Sequence, residues 1–107
     1  MQIQINPGPG VHVSDALEQS IRESLQTVER RFGDHLTRIE VHFQDVNGPK
    51  GGEVNKHCRL EARPRGLDPV LAENSADDAY DAVRGASRKL ERVLDHRLGK
   101  LADKHRH

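Results

Sequence analysis

Residues 75–104 read SADDAYDAVRGASRKLERVLDHRLGKLADK, and the periodicity of this stretch decides the fold. Projected at roughly 100° per residue, Val83, Ala86, Leu90, Val93, Leu94, Leu98 and Leu101 fall inside one arc somewhat under half the circumference. That is the stripe of a helix lying on a core. Ser75 is placed to cap it, with Asp78 three residues on. Arg84, Arg88, Lys89, Arg92, His96 and Lys100 fall in the opposite arc. Like charges at i, i+4 oppose helix formation by about 0.2–0.5 kcal/mol per pair, so the series Arg84, Arg88, Arg92 is a penalty that folding alone does not require. A phosphate backbone bound from outside offsets it, because Lys and Arg at helical spacing can neutralise several phosphates and release their counterions.

Upstream, the period alternates between two and 3.6. Gln2, Ile3, Gln4 and Ile5 alternate as a strand with one buried face, and Asn6-Pro7-Gly8-Pro9-Gly10 ends it. Val11 and Val13 return to the core edge. Ser14-Asp15 caps a first helix, with Glu18 three residues after Asp15 to complete a capping box. Leu17, Ile21, Leu25, Val28 and Phe32 make its single stripe, which Gly33 ends as a C′ residue. From Leu36 the period is two again: Ile39, Val41 and Phe43 face inward, with Arg38, Glu40, His42 and Gln44 outward. Asn47 to Gly52 reads as a mobile hairpin loop. Cys58, Leu60 and Ala62 alternate with His57, Arg59, Glu61 and Arg63 as a third strand. Pro64-Arg65-Gly66 turns the chain into a short fourth strand near Val70 to Glu73. The order is β-α-β-β-β-α. The expected fold is α+β in two layers, a four-stranded sheet carrying both helices on one face, with a wet outer face rich in His, Arg and Glu. Residues 1–102 form a single domain, and 103–107 are expected to fray.

Composition narrows the function classes. The 107 residues suffice for one modest core, and with only three aromatic residues that core must be aliphatic. Formal net charge is zero, yet residues 1–83 carry nine Lys/Arg against fourteen Asp/Glu and residues 84–107 eight against three, so the two parts stand at −5 and +5. This describes a localised basic surface on an acidic body. Cys58 is the only cysteine, which rules out an internal disulfide and a multi-cysteine zinc site. No run approaches the ~18 apolar residues of a membrane span, and no secretory signal opens the chain. A soluble cytoplasmic protein without cofactor is expected.

The motifs resemble the ribosome hibernation-promoting factor family, also called ribosome-associated inhibitors or sigma-54 modulation (S30EA) proteins, in its short form. The resemblance rests on Met1 to Ile5, on Val13-Ser14-Asp15-Ala16-Leu17 and on Val28-Glu29-Arg30-Arg31-Phe32. It is strongest at Asp78-Ala79-Tyr80-Asp81-Ala82-Val83 followed by Arg88-Lys89-Leu90-Glu91-Arg92-Val93-Leu94, which is similar to the family's D-x-Y-x-A-[IV] and K-L-x-x-Q/R-L signature. The resemblance implies a translation inhibitor that enters the small ribosomal subunit between head and body. There it lies where messenger and the anticodon ends of A- and P-site tRNA would sit, silencing translation in stress or stationary phase. It also implies that basic residues of both helices face the rRNA. Position by position, Lys89, Arg92 and Lys100 match the second helix's cations, with His96 and Arg97 as a transposed Lys-His pair. Arg84 and Arg88 stand where relatives often have Asp. On the first helix, Ser24 and Thr27 replace lysines, and Arg22, Arg30 and Arg31 supply charge at other positions. No appended domain for pairing ribosomes is expected; the protein is read as a monomer.

Other features carry less. Seven histidines raise a metal site, but His42 and His57, on neighbouring strands, lack a third ligand, and no metal is expected. Gly48 to Gly52 lacks the G-K-[ST] ending of a nucleotide loop, although Lys50 could touch RNA. Cys58 points inward as a small apolar group, and no base and orienter are placed to activate it. Tyr80 sits at the border of the apolar stripe, packing with its hydroxyl at the rim. The reading is a non-enzymatic rRNA-binding protein that takes no small-molecule substrate. The alternatives are a double-stranded RNA module acting off the ribosome, and a protein-interaction subunit whose basic helix docks on an acidic partner.

Overall fold

The computed structural model describes residues 1–47 and 54–104, the side chains of 47, 54 and 100–104 excepted. Its elements are β1 (Gln2–Asn6), α1 (Asp15–Ser24), α2 (Gln26–Phe32), a 3-10 turn (Gly33–His35), β2 (Leu36–Asn47), β3 (Val54–Pro64), β4 (Val70–Ala76) and α3 (Ala79–Lys104). The sheet order is β1-β2-β3-β4. β1 runs parallel to β2, with Ile3 beside Ile39 and Ile5 beside Val41; the other pairs are antiparallel. The parallel step requires a crossover, and α1 with α2 supplies it. This is the expected α+β fold.

One core joins the layers. Ile39, Val41 and Phe43 of β2, Cys58, Leu60 and Ala62 of β3, and Val70 and Ala72 of β4 are all buried. They meet Leu17, Ile21, Leu25, Val28 and Phe32 from the first helical stretch, and Ala82, Val83, Ala86, Leu90, Leu94 and Leu98 from α3. Each fully buried Leu, Ile or Val contributes about 1.5–3 kcal/mol. Tyr80 packs at the rim of this cluster, as its position on the stripe predicts.

Several local expectations need correction. Val93 is 38% exposed, outside the core, because it sits at the edge of the stripe whose centre is Leu90 and Leu94. Ser75 does not cap α3. It belongs to β4, which pairs with β3 as far as Lys56 beside Ala76, and its hydroxyl contacts His57 Nδ1 at 2.6 Å. The cap is Asp78, whose Oδ1 accepts from the Asp81 N–H at 2.8 Å and whose carbonyl accepts from Ala82 N–H. Asn74 Nδ2 donates to the Asp81 and Ala82 carbonyls, fastening β4 to the start of α3. A Cβ at position 85 would collide with that amide, which explains Gly85 within a helix.

The first helix is two. Leu25, at φ −90° and ψ −1°, separates α1 from α2. Leu25 N–H still donates to Ile21 O, and Glu29 N–H to Leu25 O, so the stripe keeps its facing across the bend. Ser14 caps α1 through Oγ, 3.1 Å from Leu17 N. Glu18 turns instead to Arg22, at 3.4 Å, and does not close a capping box on Asp15. Gly33 is right-handed (φ −54°), so no left-handed stop is used; the chain tightens into a 3-10 turn and Leu36 opens β2. α3 continues to Lys104, two residues into the stretch expected to fray. The expectations for Lys50 and its loop and for residues 105–107 lie outside the described residues.

Candidate nucleic-acid interface

The sheet has apolar residues on one face, so α3 has to turn its stripe of Val83, Leu90, Leu94 and Leu98 down onto it. The charged arc is then forced outward. Arg84, Arg88, Lys89, Arg92 and His96 are all exposed. Arg84, Arg88 and Arg92 follow one another at i, i+4, about 6 Å apart along the axis. Among the described residues, Arg88, Arg92, His96 and Arg97 have no carboxylate partner. Arg84 pairs with Asp81 at 2.7 Å, both side chains more than half exposed; such a pair contributes about 0–1 kcal/mol and yields readily to a phosphate. Lys89 Nζ donates to the Glu73 carbonyl at the β4 edge, 3.0 Å away, which positions the ammonium without neutralising it. Arg97 projects from another side of the rod, off this crest. Lys100 lies on α3, its side chain outside the described residues.

The first helix contributes differently. Arg22 pairs with Glu18 and Arg30 stands exposed. Arg31 is committed to the fold: its guanidinium reaches Glu91 Oε1 at 2.8 Å and Asp95 Oδ1 at 2.7 Å, and its Cζ lies 4.8 Å from the Phe32 ring centroid. The Glu91 hydrogen bond, with the nearby Asp95 charge, holds the Arg31 pKa above its ordinary value against the opposing effect of burial. This role was not legible in the sequence. Its consequence bears on α3, because Glu91 and Asp95 are the acids interspersed with the crest, and Arg31 engages both, offsetting one of their two negative charges.

A groove of about 420 Å³ runs between α1–α2 and α3. Arg84, Arg88 and Glu91 line one side, Glu23, Ser24 and Thr27 the other. A larger hollow of about 600 Å³ lies on the outward side of α1 and α2 among Asp15, Glu18, Arg22, Glu23, Glu29 and Arg30. Its charges are mixed and it opens between long surface side chains.

The outer sheet face is knitted by ion pairs. Glu40 and Glu61 stand directly opposite on β2 and β3, a like-charge pairing that opposes sheet formation. Arg63 resolves it, with Nε 2.9 Å from Glu40 and an Nη 2.8 Å from Glu61. Arg38 adds a second contact to Glu40 at 2.9 Å. The Arg38 hydrogen bond, joined by that of Arg63, holds the Glu40 carboxyl below its ordinary range although burial pushes the other way. Glu40, His42 and Glu61 bring three possible ligand atoms within 4.8 Å of one another, a third-ligand juxtaposition that strand spacing alone did not reveal. The two guanidinia already supply the positive charge there. His57 touches Ser75 Oγ through Nδ1 and Glu73 through Nε2, stitching β3 to β4. Cys58 is buried, and its thiol is pushed up to about 12 by burial.

Residues 4–102 match the family model described as Sigma 54 modulation protein / S30EA ribosomal protein. This chain belongs to the S30EA ribosomal protein family. A ribosome hibernation promoting factor of Acinetobacter guillouiae is 30% identical to the S30EA chain over 100 residues, 89% of this chain and 85% of that one. A ribosomal subunit interface protein from Coxiella burnetii superimposes with a TM-score of 0.76 at 25% identity, covering 92% of this chain and 99% of that one. The N-terminal domain of Thermus thermophilus Protein Y has the same fold, with a TM-score of 0.70 at 20% identity over 90% of this chain and 98% of that one. None of the helices described in the S30EA chain is long and apolar enough to cross a membrane.

Proposed function

We propose that this S30EA protein is a ribosome-associated translation inhibitor, a hibernation factor that occupies the decoding channel of the small ribosomal subunit. The observation that carries the reading is the α3 crest: Arg88 and Arg92 exposed and without carboxylate partners among the described residues, flanked by Lys89, His96 and Arg84. Family membership supports the ribosome as the target. Inhibition needs no covalent chemistry. The domain fills the space of messenger and of the anticodon ends of A- and P-site tRNA, and α3 holds it there through rRNA phosphates. Phosphate contacts fix position and carry no sequence information, so the target is read as a folded rRNA shape. The protein acts in the cytoplasm as a monomer, in stress or stationary phase.

Sedimentation tests this directly. In a sucrose gradient of a stationary-phase lysate the chain is expected with small subunits, and on purified subunits, messenger with P-site tRNA should displace it. Recovery only at the top of the gradient, or undiminished binding beside tRNA, overturns the proposal.

A further inference from the structure

The groove between α1–α2 and α3 contains an arrangement that a plain cationic surface does not need. On one wall Arg88 has no carboxylate partner among the described residues. On the other, Glu23 makes no ion pair there; its Oε1 accepts only from Gln19 Nε2, at 3.1 Å, which leaves most of the carboxylate's lone pairs free. Opposite charges thus face each other across the gap without closing it. On the wall of Glu23 lie also the half-buried hydroxyl residues Ser24 and Thr27. Ser87 of α3 also lines the groove; it is 4% exposed and its Oγ has no hydrogen-bond partner, an unmade bond of the kind that buried hydroxyls normally avoid. Glu91, the other acid of the lining, is held by Arg31.

A simple anion in this groove meets Glu23, and a simple cation meets Arg88. An occupant fits when it carries an anion and a hydrogen-bond donor side by side. A ribonucleotide backbone has that pairing, its phosphate lying next to the 2′-hydroxyl of the ribose. Resting on the rRNA-binding function proposed above, we infer that the groove seats one ribose–phosphate segment of an RNA strand. Arg88 and Arg84 take the phosphate, Glu23 accepts from the 2′-hydroxyl, and Ser24 and Thr27 bond the remaining oxygens. The first helix then reads RNA with neutral and acidic groups. The 2′-hydroxyl is the atom by which a protein tells RNA from DNA, so Glu23 is a specificity-determining residue.

The sign of one substitution tests this. By Coulomb's law alone, removing an acid beside RNA strengthens binding. The groove assignment requires the opposite for Glu23→Ala: affinity for purified small subunits about ten- to a hundredfold weaker, as expected for a lost hydrogen bond to a charged acceptor. Glu29→Ala, an acid of α2 outside the groove, should leave binding unchanged or tighter. Ser24→Ala with Thr27→Val should weaken binding severalfold while leaving the salt slope of log Kd unaltered, since neither residue neutralises a phosphate. Thermal melting of each variant establishes that it is folded. Tighter or unchanged binding by Glu23→Ala overturns the groove assignment and leaves the α3 crest standing. Failure of the unaltered protein to bind subunits overturns the function instead. On the intact subunit, the Glu23→Ala loss should be accompanied by restored reactivity of an rRNA 2′-hydroxyl toward acylation; a loss with no change in rRNA reactivity would place a protein segment in the groove and overturn the RNA assignment.

Discussion

Replacing Arg88 and Arg92 together by alanine should separate binding from stability. Both guanidinia are exposed and neither has a carboxylate partner among the described residues, so no internal ion pair is lost. The local helix gains slightly, because a like-charge i, i+4 repulsion of about 0.2–0.5 kcal/mol disappears and Ala has the best helix propensity. The melting temperature should hold or rise. If each residue neutralises one phosphate, the slope of log K against log salt falls by about 0.7 per contact on single strands and about 0.9 on duplex, hence by about 1.4–1.8 for the pair. Between 50 and 200 mM salt, the variant's affinity should therefore decline about seven- to twelvefold less than that of the unaltered protein. Co-sedimentation with purified small subunits across a salt series reads the slope, and calorimetry reads the melting. An unchanged slope would refute the assignment of these residues to phosphates. Lost affinity accompanied by a lower melting temperature would show that the crest belongs to the fold.

Further outcomes follow from the same contacts. Asp78→Ala should lower stability by about 0.5–2 kcal/mol, the range for losing an N-cap, whereas Ser75→Ala removes only a contact to a histidine and should shift a thermal melt less. The reverse order would return the cap to Ser75. Because Arg38 and Arg63 lower the Glu40 pKa in the folded state, the charged carboxylate stabilises the fold above its unfolded pKa of about 4.3, and that contribution is lost as pH falls through the lower folded value. The stability gap between the unaltered protein and Glu40→Gln should accordingly close below about pH 4.3; a gap constant down to acid unfolding would deny the pairing. Arg31→Ala should weaken small-subunit binding although Arg31 is held in ion pairs within the fold, because the substitution releases Glu91 and Asp95 toward the crest. Binding unchanged in low salt would mean that those acids do not matter to the surface.

The elements that depended on local pattern were legible. Leu17, Ile21, Leu25, Val28 and Phe32, or Ile39, Val41 and Phe43, repeat with the period of their structure, and burial of one face follows. The exceptions are positions decided by partners distant in the chain. Ser75 looked like a cap because Asp78 follows it at the right spacing, but β3 competes for the same residues. Pairing His57 with Ser75 and Lys56 with Ala76 carries β4 past Glu73 and hands the cap to Asp78. Gly33 looked like a left-handed stop, yet the turn into β2 is made by three residues of 3-10 helix. Val93 falls in the stripe by angle alone, whereas the sheet covers only its centre. The groove could not be read at all, since Glu23 of α1, Thr27 of α2 and Ser87 of α3 meet only through the packing of three helices.

The charge of the crest is itself a tertiary property. Along α3, Glu91 lies three residues after Arg88 and Asp95 three after Arg92, a spacing at which opposite charges meet on a helix surface. Left alone, the rod could pair its own charges and present little net potential. A third guanidinium, Arg31 from α2, takes both carboxylates at 2.8 and 2.7 Å, and Arg88 and Arg92 are left without a partner of their own. Arg31 thus shapes the crest through the fold: it fastens α2 to α3, and by engaging the acids it keeps the outward cations available. The arginine count of the C-terminal stretch identified a basic surface, but the surface's free charge depends on a residue some sixty positions earlier, paired with Glu91 across that separation.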